Sequence, residues 1–292
     1  MSQPKILNDL FIKYNINAEV AGAGTPIRPP SSRKPDLTPV DPTEYLSLLG
    51  ALIFVLKTRL DIAFAVSHAA TKSRAPTMED MMDLLQILNY LYITRDYGLI
   101  WKVGKPGDPL TLVCYVDASW LSTPDMKSQS GYMMSFGDSP PFYGKSVKQP
   151  TVMSSTSGAE QRALFQLTQE IVFVVGMCEE IRHPIMLPVK VYEDNQSTLL
   201  LSTRLTGQLK KSRHFLMLVY YVKEQVERGV ISIESEKNVA DILTKGIFGR
   251  DFVYKRQKIL GLQVGEAEVK ELSRPTPRLD EGKYEGINED WI

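Results

Sequence analysis

Nowhere in this chain do apolar residues run for the roughly 18–20 positions that a membrane-crossing helix needs. The opening MSQPKILNDL has no apolar core of a signal peptide. No membrane partner is therefore expected. Cysteine is almost absent. Cys114 and Cys178 are the only two, each inside an apolar stretch, and neither has CxxC or Cys/His spacing. A disulfide framework is excluded and a zinc site disfavoured, so both read as reduced core thiols of a protein kept in the cytoplasm or nucleus. Net charge is missing too, with 34 Lys and Arg against 34 Asp and Glu. Taken as an average this argues against a nucleic-acid partner, but the distribution points the other way. Lys210, Lys211, Arg213, Lys223 and Arg228 cluster together, while acids such as Glu266, Glu268, Asp280 and Asp290 crowd the last thirty residues. Without that tail the body is basic.

What is present divides into segments. The length of 292 residues suggests about two units at roughly 150 residues each. Residues 1–40 hold a short helix, with Ile6, Leu7, Leu10, Phe11 and Tyr14 at helical spacing, and then a linker too Pro-rich to pack. Residues 41–97 read as helical. Asp41-Pro42 opens one helix, a second runs from Asp61 through Ala70, and Thr77 caps a third to Thr94 whose stripe includes Met81, Met82, Leu85 and Leu88. From Tyr97 the pattern turns to strands, at 99–103, 110–117, 131–136 and 142–148, separated by turn residues. A long helix from Ser157 to Ile181 follows, then a strand at 188–193, a helix from Asp194, a basic helix at 209–228, a strand at 230–235 and a short helix at 240–245. This order predicts an α+β or α/β domain, three-layered around a mixed sheet, over 98–262. Residues 263–292 read as an acidic, disordered tail.

Four acids fall at the ends of these elements, where sites of such sheets collect. Asp117 closes the apolar run TLVCYVDAS, Glu160 lies in the first turn of the long helix, Asp194 follows PVKVYE, and Asp241 begins the last helix. Each has a structural alternative: Asp117 as a turn cap, Glu160 and Asp241 as partners of a helix dipole, Asp194 as an N-cap. Converging in one fold, four carboxylates would repel one another unless cations neutralise them. Oxygen ligands without His or Cys suit Mg²⁺ or Mn²⁺, and two such ions are the usual machinery for phosphodiester hydrolysis.

From Tyr45 to Leu262 the chain resembles the end of the Pol polyprotein of copia-type LTR retrotransposons. The matching stretches are YLSLLGALIFVLKTRLDIAFAV (45–66), LLQILNYLYITRDYGLIW (84–101), YVDASW (115–120), KSQSGYMMSFGDSPPFYGKSVKQPTVMSSTSGAEQRAL (127–164), YEDNQST (192–198), SRHF (212–215) and NVADILTKGI (238–247). The start, SQPKILNDLFIKYNI followed by TPIRP, resembles the end of that family's reverse transcriptase. The resemblance implies a ribonuclease H-like domain with a mixed five-stranded sheet, behind a helical connecting region. It implies two Mg²⁺ ions (or Mn²⁺) held by Asp117, Glu160, Asp194 and Asp241, and cleavage of the RNA strand of an RNA:DNA hybrid to leave 3′-hydroxyl ends. Other polyprotein parts are implied partners. Where the family usually reads DADW this chain has Ser119 in place of the second acid, and no metal ligand of the fold is lost by that change. The polymerase's paired-Asp box would lie before residue 1, so no polymerase activity is expected.

Holding a hybrid takes phosphate contacts and a reading of 2′-hydroxyls. The candidates are Lys145, Lys148, Gln149 and Ser155 in the loop before the long helix, Asn195 and Gln196 beside Asp194, and the basic Lys210, Lys211 and Arg213. For each lysine the alternative is a solvated surface charge, and Trp120 is expected to pack rather than stack on a base. The rival to an enzyme is an inactive remnant that binds nucleic acid or scaffolds. Exonucleases of the DEDD type are disfavoured by Ser119, and integrase-type enzymes by the order Asp, Glu, Asp, Asp.

Overall fold

The computed structural model describes residues 1–18, 24–29, 32, 36–101, 104–105, 107–123, 125–203, 213–235 and 238–262. They divide into two compact units, one of Met1–Leu99 with the described residues from Gly246 onward, the other of Ile100–Lys245. No helix among the described residues is long and apolar enough to cross a membrane.

The first unit opens with α1 (Pro4–Lys13), α2 (Pro42–Val55), a 3-10 turn (Leu60–Ile62) running into α3 (Ala63–Ala70), and α4 (Met78–Ile93). Local chemistry sets the helix starts. The Asp41 carboxylate accepts from the Thr43 N–H at 2.9 Å, with Pro42 in the first position. Thr77 and Asp80 cap each other reciprocally at the head of α4. The middle of α4 is buried on every side, beyond the expected stripe, with Leu84, Gln86, Ile87 and Leu91 also enclosed. Beneath it, Arg59 grips Asp61 with both arms of its guanidinium, at 3.0 and 2.8 Å, and Tyr90 donates to the same carboxylate. The Pro-rich linker was expected not to pack, and here the structure differs. Thr25, Pro26 and Arg28 are buried, because Arg28 reaches Glu79 at 2.7 Å and Asp83 at 2.8 Å on α4. A guanidinium shared by two carboxylates can leave water, and it takes its flanking residues with it.

The second unit is built on β1 (Leu112–Ser119), β2 (Gln129–Phe136), β3 (Pro141–Lys148), β4 (Val189–Tyr192) and β5 (Ile231–Glu234). The order is β3-β2-β1-β4-β5, antiparallel from β3 to β1 and parallel from β1 to β5. This is the mixed five-stranded sheet expected. Residues 99–101 form no strand, and 102–103 lie outside the described residues. Three helices accompany the sheet, α5 (Thr156–Glu180), α6 (Gln196–Thr203) and α7 (Arg213–Glu227). On β1 the alternate residues Leu112, Cys114, Val116 and Ala118 join Val189 and Val191 of β4 in a core closed by Ala163, Leu164, Leu167 and Ile171 of α5 and by Leu218 and Val222 of α7. Each large aliphatic side chain so buried contributes about 1.5–3 kcal/mol. The period of two therefore turns Val113, Tyr115 and Asp117 to the opposite face, where Tyr115 stacks on Tyr192 at 5.0 Å.

After the 3-10 turn Val239–Leu243 comes a helix the sequence pattern did not announce, α8 (Gly249–Leu260). Phe252, Val253, Ile259 and Leu260 are its buried side, and Gly261 ends it in the left-handed region at φ 68°. It packs with the first unit, where Phe252 meets Tyr90 edge to face at 5.7 Å and Arg256 lies over the Tyr97 ring at 5.0 Å. The sheet unit thus closes at Lys245, short of the boundary at 262 expected from sequence. Residues 263–292, expected as an acidic tail, lie outside the described residues.

Candidate metal centre

Asp117 is not a turn cap. It lies inside β1 opposite Gly131 of β2, 4% exposed, and its carboxylate accepts from the Thr244 hydroxyl. Burial pushes its pKa up to about 6, against the pull of that hydroxyl and of Lys245, and with help from the charges of Asp241 and Asp194. Glu160 lies beyond the first turn of α5, not within it, so the helix dipole does not account for it. The cap is Ser155, whose Oγ accepts from the Gly158 N–H at 3.1 Å. Glu160 is buried and accepts from the Ala118 backbone N–H, while its Oε2 has no hydrogen-bond partner among the described residues. Burial first, and then the charges of Glu193, Asp117 and Asp194, raise its pKa far above the usual carboxylate range. Asp194 is exposed just past β4. It is not the cap of α6, for Asn195 Oδ1 accepts from the N–H groups of Ser197 at 3.0 Å and Thr198 at 3.2 Å.

One carboxylate oxygen from each of Asp117, Glu160 and Asp194 lies within 4.8 Å of the others. The three come from a strand, a helix and a strand end, so only the folded chain assembles them. Asp241 stands apart from this group. Its Oδ1 is 2.6 Å from Lys245 Nζ, an i,i+4 ion pair at the end of the 3-10 turn. Burial lowers the Lys245 pKa, but Asp241, Asp117 and Asp194 together outweigh that and raise it. The turn is clamped to the sheet. Asn238 donates to Val116 O and caps Ala240, Ser146 Oγ donates to Leu243 O at 2.5 Å, and Thr244 holds Asp117. Gly131 makes this approach possible, since a Cβ there would stand 2.6 Å from Thr244 Cγ2 and 2.7 Å from Leu243 Cβ.

The donor set fits a divalent cation. The three acids offer hard oxygen only, one of the oxygens is buried without a hydrogen-bond partner among the described residues, and burial, with the charges of neighbouring acids, holds two of the acids above their usual pKa.

The expected substrate contacts separate into distinct groups. Gln149 is fully buried and corrects the expectation, because its Nε2 donates to Ser130 Oγ at 3.0 Å and Ala159 O at 2.9 Å, tying β2 to the start of α5. Ser155 and Asn195 are engaged as helix caps. Lys145 pairs with Glu170 at 2.8 Å and Lys148 with Asp125 at 3.1 Å, so each is already engaged by a carboxylate. Gln196 and Arg213 are exposed. Lys210 and Lys211 lie outside the described residues. Trp120 packs only in part, 41% exposed, with Nε1 donating to Met153 O at 2.8 Å. Sequence reasoning passed over Gly131, Thr244, Lys245 and Glu193. Strand alternation could have found the last, since Val189, Val191 and Glu193 fall on one face.

No family model matches the chain. In sequence it is 28% identical over 255 residues to the retrovirus-related Pol polyprotein from transposon RE2 of Arabidopsis thaliana, covering 84% of this chain and 17% of that protein. The figures are the same for transposon RE1 of that plant. It is 27% identical over 210 residues to the truncated transposon Ty1-A Gag-Pol polyprotein of Saccharomyces cerevisiae, covering 69% of this chain. The chain thus spans about 17% of the length of these relatives. Among solved structures, the ribonuclease H1 LC11 isolated from compost aligns over 46% of this chain and 92% of its own, at 14% identity and a TM-score of 0.35. A foamy viral protease-reverse transcriptase, solved with an RNA/DNA hybrid, aligns over 72% of this chain and 26% of its own, at 14% identity and a TM-score of 0.39. In sequence, then, the chain is similar to retrotransposon Pol polyproteins over 69–84% of its length.

Proposed function

We propose that the sheet unit is a metal-dependent endonuclease of ribonuclease H type, cutting the RNA strand of RNA:DNA hybrids. The observation that carries the reading is the meeting of Asp117, Glu160 and Asp194 within 4.8 Å from three separate elements. These three would hold Mg²⁺ or Mn²⁺, two ions by the resemblance, with Asp241 joining once Lys245 yields. Bound there, the ions supply an activated water and a counter-charge for the leaving oxygen. The chain's own part is to fix the carboxylates. Thr244 orients Asp117, the Ala118 N–H orients Glu160, and the Asn195 cap leaves the Asp194 side chain outside the helix. Gln196 and Arg213 are the exposed polar groups offered to a hybrid, and Lys145 and Lys148 could exchange their carboxylate partners for phosphate. Residues 41–97 would serve as the connecting region, and other polyprotein parts would be partners.

The test is cleavage of labelled RNA:DNA, RNA:RNA and DNA:DNA duplexes by the purified chain in Mg²⁺ and in EDTA. Cutting of the RNA strand of the hybrid, lost in EDTA and in Asp194→Asn, is expected. Equal cutting of all three duplexes, or cutting in EDTA, would sink the assignment. A second reading, a module that binds hybrids without cutting, is favoured by the Lys245–Asp241 pair, which withholds the fourth acid. It predicts hybrid retention on a gel with no product at any Mg²⁺ concentration.

A further inference from the structure

Arg256 of α8 is among the largest fully buried side chains, 0% exposed. Its Nε, Nη1 and Nη2 are all without a hydrogen-bond partner among the described residues. Two rings flank it instead, their centroids 5.0 Å (Tyr97) and 5.9 Å (Phe252) from the guanidinium carbon. Ring faces attract a cation, but they repay only part of what a guanidinium loses on leaving water. The nearest acid to serve it is Asp61, a buried carboxylate of the same unit on which its charge bears. That carboxylate is already taken. Asp61 Oδ1 accepts from Arg59 Nε at 3.0 Å, and Oδ2 accepts from Arg59 Nη2 at 2.8 Å and from the Tyr90 hydroxyl. Arg59 is served in full, since it also donates to Thr94 O at 3.0 Å and Thr94 Oγ1 at 2.7 Å. On α8 itself, Asp251 pairs with Lys255 at 2.8 Å. Two buried guanidiniums thus share one carboxylate, and the surplus positive charge sits at Arg256, where the donors are open.

We propose that the helical unit binds a small monovalent anion, a halide such as chloride, on the open N–H groups of Arg256. The surplus charge fixes the sign of the ligand, and burial fixes its size. A water molecule would accept from the guanidinium but leave the charge unbalanced. A sulfate brings two charges to a surplus of one and must give up more water to enter. A halide brings the single charge required and accepts charge-assisted N–H bonds from any side. The site spans distant parts of the chain, since Arg256 and Phe252 lie on α8 while Tyr97 and Asp61 come from before residue 100. The anion therefore fastens α8 to the rest of its unit. Nothing in this depends on the reading of the metal centre.

The experiment melts the full chain in EDTA while sodium chloride replaces sodium gluconate at constant ionic strength. A ligand held only by the folded state raises the folding constant about tenfold for each tenfold increase beyond its dissociation constant. The melting midpoint is then expected to climb by about 3–6 °C per tenfold rise in chloride. Arg256→Met keeps much of the length without the charge, and is expected to remove that dependence. A crystal soaked in bromide tests the place directly, and does so whether or not the variant folds. An anomalous peak is expected at hydrogen-bond distance from the Arg256 nitrogens. Equal midpoints in chloride and gluconate, a chloride dependence that Arg256→Met retains, or no bromide at Arg256 would each overturn the proposal.

Discussion

Replacing Gly131 by alanine tests the clamp that holds the 3-10 turn against the acids. The new methyl would stand 2.6 Å from Thr244 Cγ2, 2.7 Å from Leu243 Cβ and 3.1 Å from the Leu243 carbonyl carbon. Rotating Thr244 relieves the first contact only by taking its hydroxyl from Asp117, and the third contact is backbone, which has no rotamer to change. The turn must therefore retreat by about 1 Å to restore ordinary van der Waals separation. Overpacking of this kind costs about 1–3 kcal/mol. The lost hydroxyl bond to a buried carboxylate costs about 1.5–3 kcal/mol, and weakening Ser146 Oγ to Leu243 O costs about 1 kcal/mol more. Alanine returns about 0.5 kcal/mol by restricting the unfolded chain. The expected loss is about 3–6 kcal/mol, read by urea unfolding of the metal-free chain. Adding Thr244→Ser removes Cγ2 and keeps the hydroxyl, and should recover about 1 kcal/mol. A Gly131→Ala variant within about 1 kcal/mol of wild type would refute the clamp.

Two further outcomes follow from the buried charges. Asp117 rises from 3.8 to about 6 on folding, so the metal-free fold holds the extra proton and loses about 3 kcal/mol of stability as pH climbs from about 4 to 6. Asp117→Asn should remove its share and flatten the decline, leaving the part due to Glu160, and urea unfolding in EDTA with equal pH slopes for variant and wild type would contradict it. In the helical unit, Asp61→Asn leaves Arg59 buried without its counter-ion, at a cost of about 3–5 kcal/mol. The Arg59 charge outweighs burial and holds the Asp61 carboxyl below its usual range, so this support is present at neutral pH and is lost as acid protonates it. A thermal midpoint unchanged by the substitution would show that the ion pair does not carry the helical unit.

The sheet was legible because its strands are apolar runs bounded by turn residues, and α5 because Ser155 and the apolar spacing behind it mark a capped helix. α8 was missed for the converse reason. Its charges, among them Arg250, Asp251, Lys255, Arg256 and Lys258, mask four buried apolar residues, and its burial comes from Tyr90 and Tyr97, far away in sequence. The linker misled because proline content reports backbone preference, whereas the packing of Arg28 depends on two acids more than fifty positions later.

Within the site the same division holds. Asp117 and Asp194 could be found because each interrupts or follows an apolar run, a position visible in the pattern even though a turn cap or an N-cap would also explain it. Glu160 could be placed on its helix, yet its meaning changes when the helix starts one residue earlier, at Thr156, from a residue favoured by the dipole to one that burial penalises. Gln149 shows what a single sequence conceals. It follows Lys148 and reads as a surface loop residue, but its amide bridges Ser130 and the Ala159 carbonyl, partners that only the packed fold brings together. Asp241 and Glu193 are further cases. The sequence pattern places Asp241 at the start of a short helix but not the pairing with Lys245 one turn on, and it passes over Glu193, which strand parity turns toward the core beside Val189 and Val191.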